Sequence, residues 1–172
     1  MIYKFRMISS EDRAFLRDFE VDANQTFLTF HEAIQGNLNF DPSQLVSFFL
    51  ADEHWNKGME LTLIDMQNEG DMAAIPMDSA TVGELIKNRK ERLLYVFDIY
   101  TDRSLFIELL DIYEPTPGVT YPICTAAVGD PPLQFAGSDI ENFSPELADD
   151  AGFEDFSDEF DSDEAGSDSI DD

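Results

Sequence analysis

LLYVFDI (residues 93–99) and SLFIELLDI (residues 104–112), separated by the polar stretch YTDR (100–103), decide the fold. Both runs have strand length and are rich in β-branched and aromatic residues, and the short polar connection makes them an antiparallel hairpin. Upstream, MELTLI (59–64) alternates apolar and polar residues, and LVSFFL (45–50) is a compact β-prone run. Near the N-terminus IYKFRMI (2–8) alternates as well: Ile2, Lys4, Arg6 and Ile8 share one face, Tyr3, Phe5 and Met7 the other. After SSED the chain returns over residues 13–21, with Phe15, Arg17, Phe19 and Val21 on a common parity. Two adjacent strands with a short polar connection pair antiparallel.

Two segments switch to helical spacing. Phe27, Phe30, Ile34 and Leu38 fall three and four apart, which predicts a helix over 25–37 with Asn24 or Thr26 as its cap and Asp41-Pro42 closing the region. Thr81 and Glu84 form a T-x-x-E capping box, which predicts a shorter helix over 82–90 with Val82, Leu85 and Ile86 inward. The expected class is therefore α+β: a mainly antiparallel sheet packed against one long and one short helix. Residues 115–138 differ. Five prolines exclude a central strand there, while Tyr121, Ile123, Cys124, Val128, Leu133 and Phe135 give the segment enough apolar content to pack across the domain surface.

Charge divides the 172-residue chain unevenly. Residues 1–103 hold 18 acidic and 10 basic residues, whereas 104–172 hold 19 acidic and none basic, for a net charge of -27 overall. Fifteen of those acids lie in 139–172, where apolar residues are too sparse to offset an ordering cost of about 1–2 kcal/mol per residue. The expected organisation is one α+β domain over 1–138 and an acidic, disordered tail over 139–172. Within the tail Phe153, Phe156 and Phe160 recur at i, i+3 and i+7 among acids, the pattern of a short helix that docks in a basic, apolar groove. A purely solubilising tail and an imitation of a nucleic-acid backbone are the other two readings of the same stretch.

The negative field opposes direct binding to DNA, RNA or anionic membrane. MIYKFRMISSEDRAF is broken by charge too often for a secretory signal, and no apolar run approaches the ~20 residues of a membrane span, so a cytoplasmic location is expected. The lone Cys124 excludes an intramolecular disulfide scaffold, and His31, His54 and Cys124 are too scattered to read as a zinc set. Gly36 and Gly83 are isolated, so no phosphate-binding loop is present. No cofactor or metal is expected. The domain residues with some capacity for chemistry are His31, on the long helix, Asp98 and Asp102, beside the hairpin turn, and Glu108, on the following strand. Two close carboxylates perturb each other or hold a divalent ion, whereas turn acids ordinarily cap local amides.

Several of these segments carry a family likeness. The opening YKFRM strand, TFLTFHEAIQ with His31, Ile34 and Gln35, and NFDPSQLVSF with Phe40, Leu45 and Phe48 resemble the plasmid pRiA4b ORF-3-like family, also described through its IS1096-element passenger protein. LLYVFDIYTDRSLFIEL keeps Phe97, Asp98, Asp102 and Glu108 of the family's pattern but lacks its glycine, tryptophan and histidine; Gln44 likewise stands at a histidine position. YPICTAAVGDPPLQFAG resembles the closing motif through Tyr121, Pro122, Cys124, Pro131, Pro132 and Gly137. The resemblance spans about 1–138 and implies an α+β fold, and it brings no mechanism. The expected function is a non-catalytic interaction protein engaging a basic protein partner, partly through the tail. The alternatives are a divalent-metal hydrolase built on Asp98 and Asp102, or an acidic nucleic-acid-mimicking inhibitor.

Overall fold

The computed structural model describes residues 1–63 and 74–135. The chain divides into two units, Met1–Gln134 and Phe135–Asp172, and the elements below belong to the first. In chain order they are β1 (Ile2–Ser9), β2 (Leu16–Asp22), α1 (Phe27–Leu38), β3 (Ser47–Ala51), β4 (Lys57–Thr62), β5 (Ile75–Pro76), a 3₁₀ turn at Met77–Ser79, α2 (Val82–Leu85), β6 (Arg92–Asp98), β7 (Arg103–Tyr113) and β8 (Ile123–Val128). Among the described residues the strands form one eight-stranded sheet in the order β5-β4-β3-β6-β7-β1-β2-β8. Every pairing is antiparallel except the short parallel contact of β4 with β5. The expected α+β class is present, with one long helix and one short one. The tail expected over 139–172 lies outside the described residues, as do residues 64–73.

Alternation sorts the sheet into two faces. Tyr3, Phe5 and Met7 of β1, Phe19 and Val21 of β2, and Leu93, Tyr95 and Phe97 of β6 all point to the side covered by α1 and join its buried stripe of Phe27, Phe30, Ile34 and Leu38 in a single core. Phe30 sits at its centre, with its ring centroid 5.0 Å from Phe5, 5.5 Å from Phe48 and 6.0 Å from Phe19. Thr26 caps α1, its hydroxyl accepting from the Thr29 amide at 3.1 Å. Asn39 ends it in the left-handed region at φ 58, donating its amide to the Gln35 carbonyl. The helix thus stops before Asp41-Pro42 is reached.

Two readings change in detail. The second helix is one turn long, Val82–Leu85, instead of running to residue 90. The Glu91 carboxylate accepts from the amides of Lys87 and Asn88, so those donors are withdrawn from the helical ladder just where it would continue. The proline-rich segment does pack on the domain, and it does so as strand β8, hydrogen-bonded to β2 at the sheet edge. Pro122 on one side and Pro131-Pro132 on the other leave eight proline-free residues between them, long enough for an edge strand.

Arg17 fastens that edge. It is buried, and its Nε donates to Asn37 Oδ1 at 2.8 Å while Nη1 donates to the carbonyls of Leu16, Val128 and Gly129 at 2.9, 2.9 and 3.1 Å. One side chain therefore ties α1, β2 and the end of β8 together. Arg17→Met should lower unfolding stability by about 2 kcal/mol, because four acceptors on three elements lose one shared charged donor. Urea denaturation measures this, and a change within about 0.5 kcal/mol, the range of an ordinary surface substitution, would contradict it.

Candidate functional site

The sheet face turned away from α1 is built from the register of six neighbouring strands. Arg92 of β6 lies opposite Glu108 of β7, Glu108 opposite Arg6 of β1, and Arg6 opposite Asp18 of β2. The result is a ladder of alternating charge across four strands. Arg6 meets Asp18 through two hydrogen bonds, 2.8 and 2.9 Å, and Arg92 Nε meets Glu108 at 3.2 Å. Two residues along each strand the register places an apolar row: Phe49, Leu94, Phe106, Ile8, Leu16 and Val128, one each from β3, β6, β7, β1, β2 and β8.

Trp55 lies on this face. Its loop between β3 and β4 is pinned by Asp52, whose carboxylate accepts from the amides of His54 and Asn56 at 2.8 Å each and from the Asn56 side chain at 2.9 Å. Those bonds, from Asn56 first, hold the Asp52 carboxyl below the ordinary aspartate value. The turn sets Trp55 at φ 67 and lays its ring 5.0 Å from Phe106, with the Arg92 guanidinium 4.6 Å from its centroid. A cleft opens on either side of the indole. One, of about 290 Å³, is lined by Arg6, Ile8, Arg92, Phe106 and Glu108; the other, of about 300 Å³, by Glu11, Lys57, Asp102, Arg103 and Phe106 among others. Both lie at the small end of the volume range of ligand sites.

The residues singled out from sequence are dispersed over this architecture. His31 is on the opposite face, buried in the core, with Nδ1 2.8 Å from the Tyr95 hydroxyl. Burial pulls its pKa down to about 4 against a weaker opposing hydrogen bond from the ring to the Gln35 side chain. Asp98 accepts from the Thr101 hydroxyl at 2.6 Å and from Arg103 at 3.4 Å; burial raises its pKa, and the bonds from Thr101 and Arg103 outweigh that and hold it below the usual value. Asp102, at φ 56, pairs with Lys57, and Glu108 with Arg92. Each of the three carboxylates therefore faces its own cation, and only Asp102 and Glu108 line the clefts, one in each. Among the described residues no three His, Cys, Asp or Glu side chains gather where a metal ion would sit. Phe153, Phe156 and Phe160 lie outside the described residues.

Trp55, Arg6 and Arg92 are what the sequence reading passed over. The parity of β1 already put Arg6 and Ile8 on one face; the missing information was which residues of β7 and β6 lie across from them.

A model of the plasmid pRiA4b ORF-3-like protein family matches residues 2–158. The chain belongs to this family. Among solved structures, the pRiA4b ORF-3-like fold seen here is similar to that of a protein of unknown function, MM3350, from Methanosarcina mazei Go1. The TM-score is 0.60 at 22% identity, covering 73% of this chain and 68% of that one. At that identity the likeness concerns the fold. No curated protein matches the chain.

Proposed function

We propose that this pRiA4b ORF-3-like protein is a non-catalytic, cytoplasmic interaction protein that engages a basic protein partner, in part through its acidic C-terminal segment. The observation that carries this reading is how the charges are deployed. Five cations of the domain are held in internal ion pairs: Arg6 with Asp18, Lys57 with Asp102, Arg89 with Asp111, Arg92 with Glu108, and Arg103 with Glu11 and Asp98. Their charge is neutralised at home, so the field reaching a partner is set by the surplus of acids, which make up 19 residues of 104–172 with no base among them. Such a field accelerates encounter with a basic surface and repels nucleic acid. Among the described residues no helix is long and apolar enough to cross a membrane. The hydrolase alternative has less support, since Asp98 and Asp102 are turned to Arg103 and Lys57 and not to a shared point.

A dye-labelled, tryptophan-free peptide of about 16 residues, with leucines at helical spacing and lysines elsewhere, tests the reading by fluorescence anisotropy with the full chain. Binding should weaken about tenfold or more between roughly 50 and 300 mM salt. Replacing Phe153, Phe156 and Phe160 with alanine should weaken it several-fold even at low salt, through lost apolar burial. No binding, or binding indifferent to salt, would defeat the proposal; equal affinity in the triple variant would remove the phenylalanines from it.

A further inference from the structure

We infer that the face opposite α1, centred on Trp55, is the docking surface for an amphipathic, basic helix of that protein partner. The inference rests on the interaction reading above and names the surface it uses. α1 and α2 both put their buried side chains into the core on the other face. Neither helix covers the row Phe49–Leu94–Phe106–Ile8–Leu16–Val128, which crosses six strands without a polar residue. Trp55 packs on Phe106 and Leu94 is buried, so the part of the row open to solvent runs from that indole to Val128. A water-facing sheet normally places polar side chains there, and the flanking ladder Arg92–Glu108–Arg6–Asp18 does so. The apolar row departs from that pattern, and its far half is open to solvent: Ile8 is 45% exposed and Val128 53%.

The shape of the row selects its occupant. Six strands at about 4.8 Å spacing make it roughly 24 Å long across the strand direction. A helix of about 16 residues has that length and presents one continuous apolar stripe along its axis. An extended segment laid on the same line would turn every second side chain away. Charge supplies the second criterion. The chain carries -27, so a basic helix is drawn in at long range, and on arrival its flanking lysines and arginines lie beside the half-buried Glu108. The same net charge opposes a second copy of this chain. Trp55 stands as a ridge on Phe106 with a cleft on each side, giving the helix two recesses floored by Phe106 and rimmed by charged side chains.

Trp55 is also the chain's one tryptophan, so the surface reports on itself. The same Leu/Lys peptide is titrated into the full-length protein while anisotropy of the peptide dye and emission of Trp55 are both followed. Docking on this face should shift Trp55 emission saturably, with the midpoint of the anisotropy curve, and should cut its quenching by acrylamide about twofold or more. Ile8→Asp should weaken the emission-linked binding about tenfold, since it puts a carboxylate in the apolar row. Val128→Asp at the exposed edge should act in the same direction, and serves in place of Ile8→Asp where thermal melting shows that variant unfolded.

The outcomes separate the two proposals. Anisotropy that rises while Trp55 emission stays unchanged overturns the assignment of the face and leaves the acidic interaction reading standing. No rise in anisotropy overturns both. An equal emission shift with a peptide of the same composition but scrambled leucines overturns the helix. An emission shift on concentrating the protein alone, without peptide, assigns the face to a second copy and overturns the partner.

Discussion

Phe30→Ala should lower the free energy of unfolding by about 3–5 kcal/mol, the largest effect of any single change considered for this domain. The ring is fully buried and in contact range of three others: Phe5 on β1, Phe19 on β2 and Phe48 on β3. Those strands span most of the sheet, since β6 and β7 lie between β3 and β1. Truncation therefore opens a void walled by strands that hold one another in register, and none can move in without breaking ladder bonds, so little of the void collapses. Against a total stability of about 5–15 kcal/mol for a domain of this kind, the variant would be near the folding threshold. Phe30→Leu fills most of the space and should cost less than half as much. Chemical denaturation decides it: a loss below about 1.5 kcal/mol for Phe30→Ala would mean that the aromatic cluster is not where α1 is anchored.

That cluster was legible in the sequence for a physical reason. The i, i+3, i+4 stripe of α1 and the alternation of β1 and β2 are local periodicities, and a local periodicity states which side chains share a face. The length of α2 was not legible, because it is fixed by the Glu91 side chain competing for two amides, an event with no periodic trace. β8 was legible as packed and off-centre, since prolines bracket it, but its pairing with β2 depends on a bulge between Asp18 and Phe19 that composition does not show. The open face was least legible of all. Arg92, Glu108, Arg6 and Asp18 come from four strands spread over 103 positions of the numbering, and only register, including the shift between Lys4 and Phe5, sets them side by side. Trp55 sat in a stretch that reads as an exposed polar loop, and it is the Asp52-pinned turn that folds it back onto Phe106. Single-strand parity was enough to assign a face to Arg6 and Ile8, and long-range register was needed to make that face a site.

Stability should fall as pH drops from about 6.5 towards 4, and His31 is the reason. Its ring is 2% exposed, and its polar contacts are the Tyr95 hydroxyl and Gln35, neither of which is charged in this range. Burial also pushes the Tyr95 hydroxyl far above its ordinary value, so the phenol stays neutral. The folded state thus holds His31 neutral down to about pH 4, while in the unfolded chain the ring takes a proton near 6.5. Between those values the unfolded state binds more protons, so unfolding becomes more favourable as pH falls; above about 7 the full contribution is present, and below about 4 nothing more is lost. The expected loss is about 2 kcal/mol between pH 7 and pH 5, and about 3 kcal/mol over the whole window. The carboxylates with depressed values, Asp41 and Asp98 among them, follow the same proton logic, since the unfolded chain again takes the proton first, and they lose their share at lower pH, from the ordinary aspartate value downward. Net repulsion among 37 acids changes over the same scale, so the comparison is made against His31→Gln, which keeps a hydrogen-bonding group beside Tyr95 and has nothing to titrate. The variant's stability should be flatter than the parent's from pH 7 to 5 by the stated amount. Parallel pH profiles for the two proteins would show that the buried imidazole does not set the acid limit of this fold.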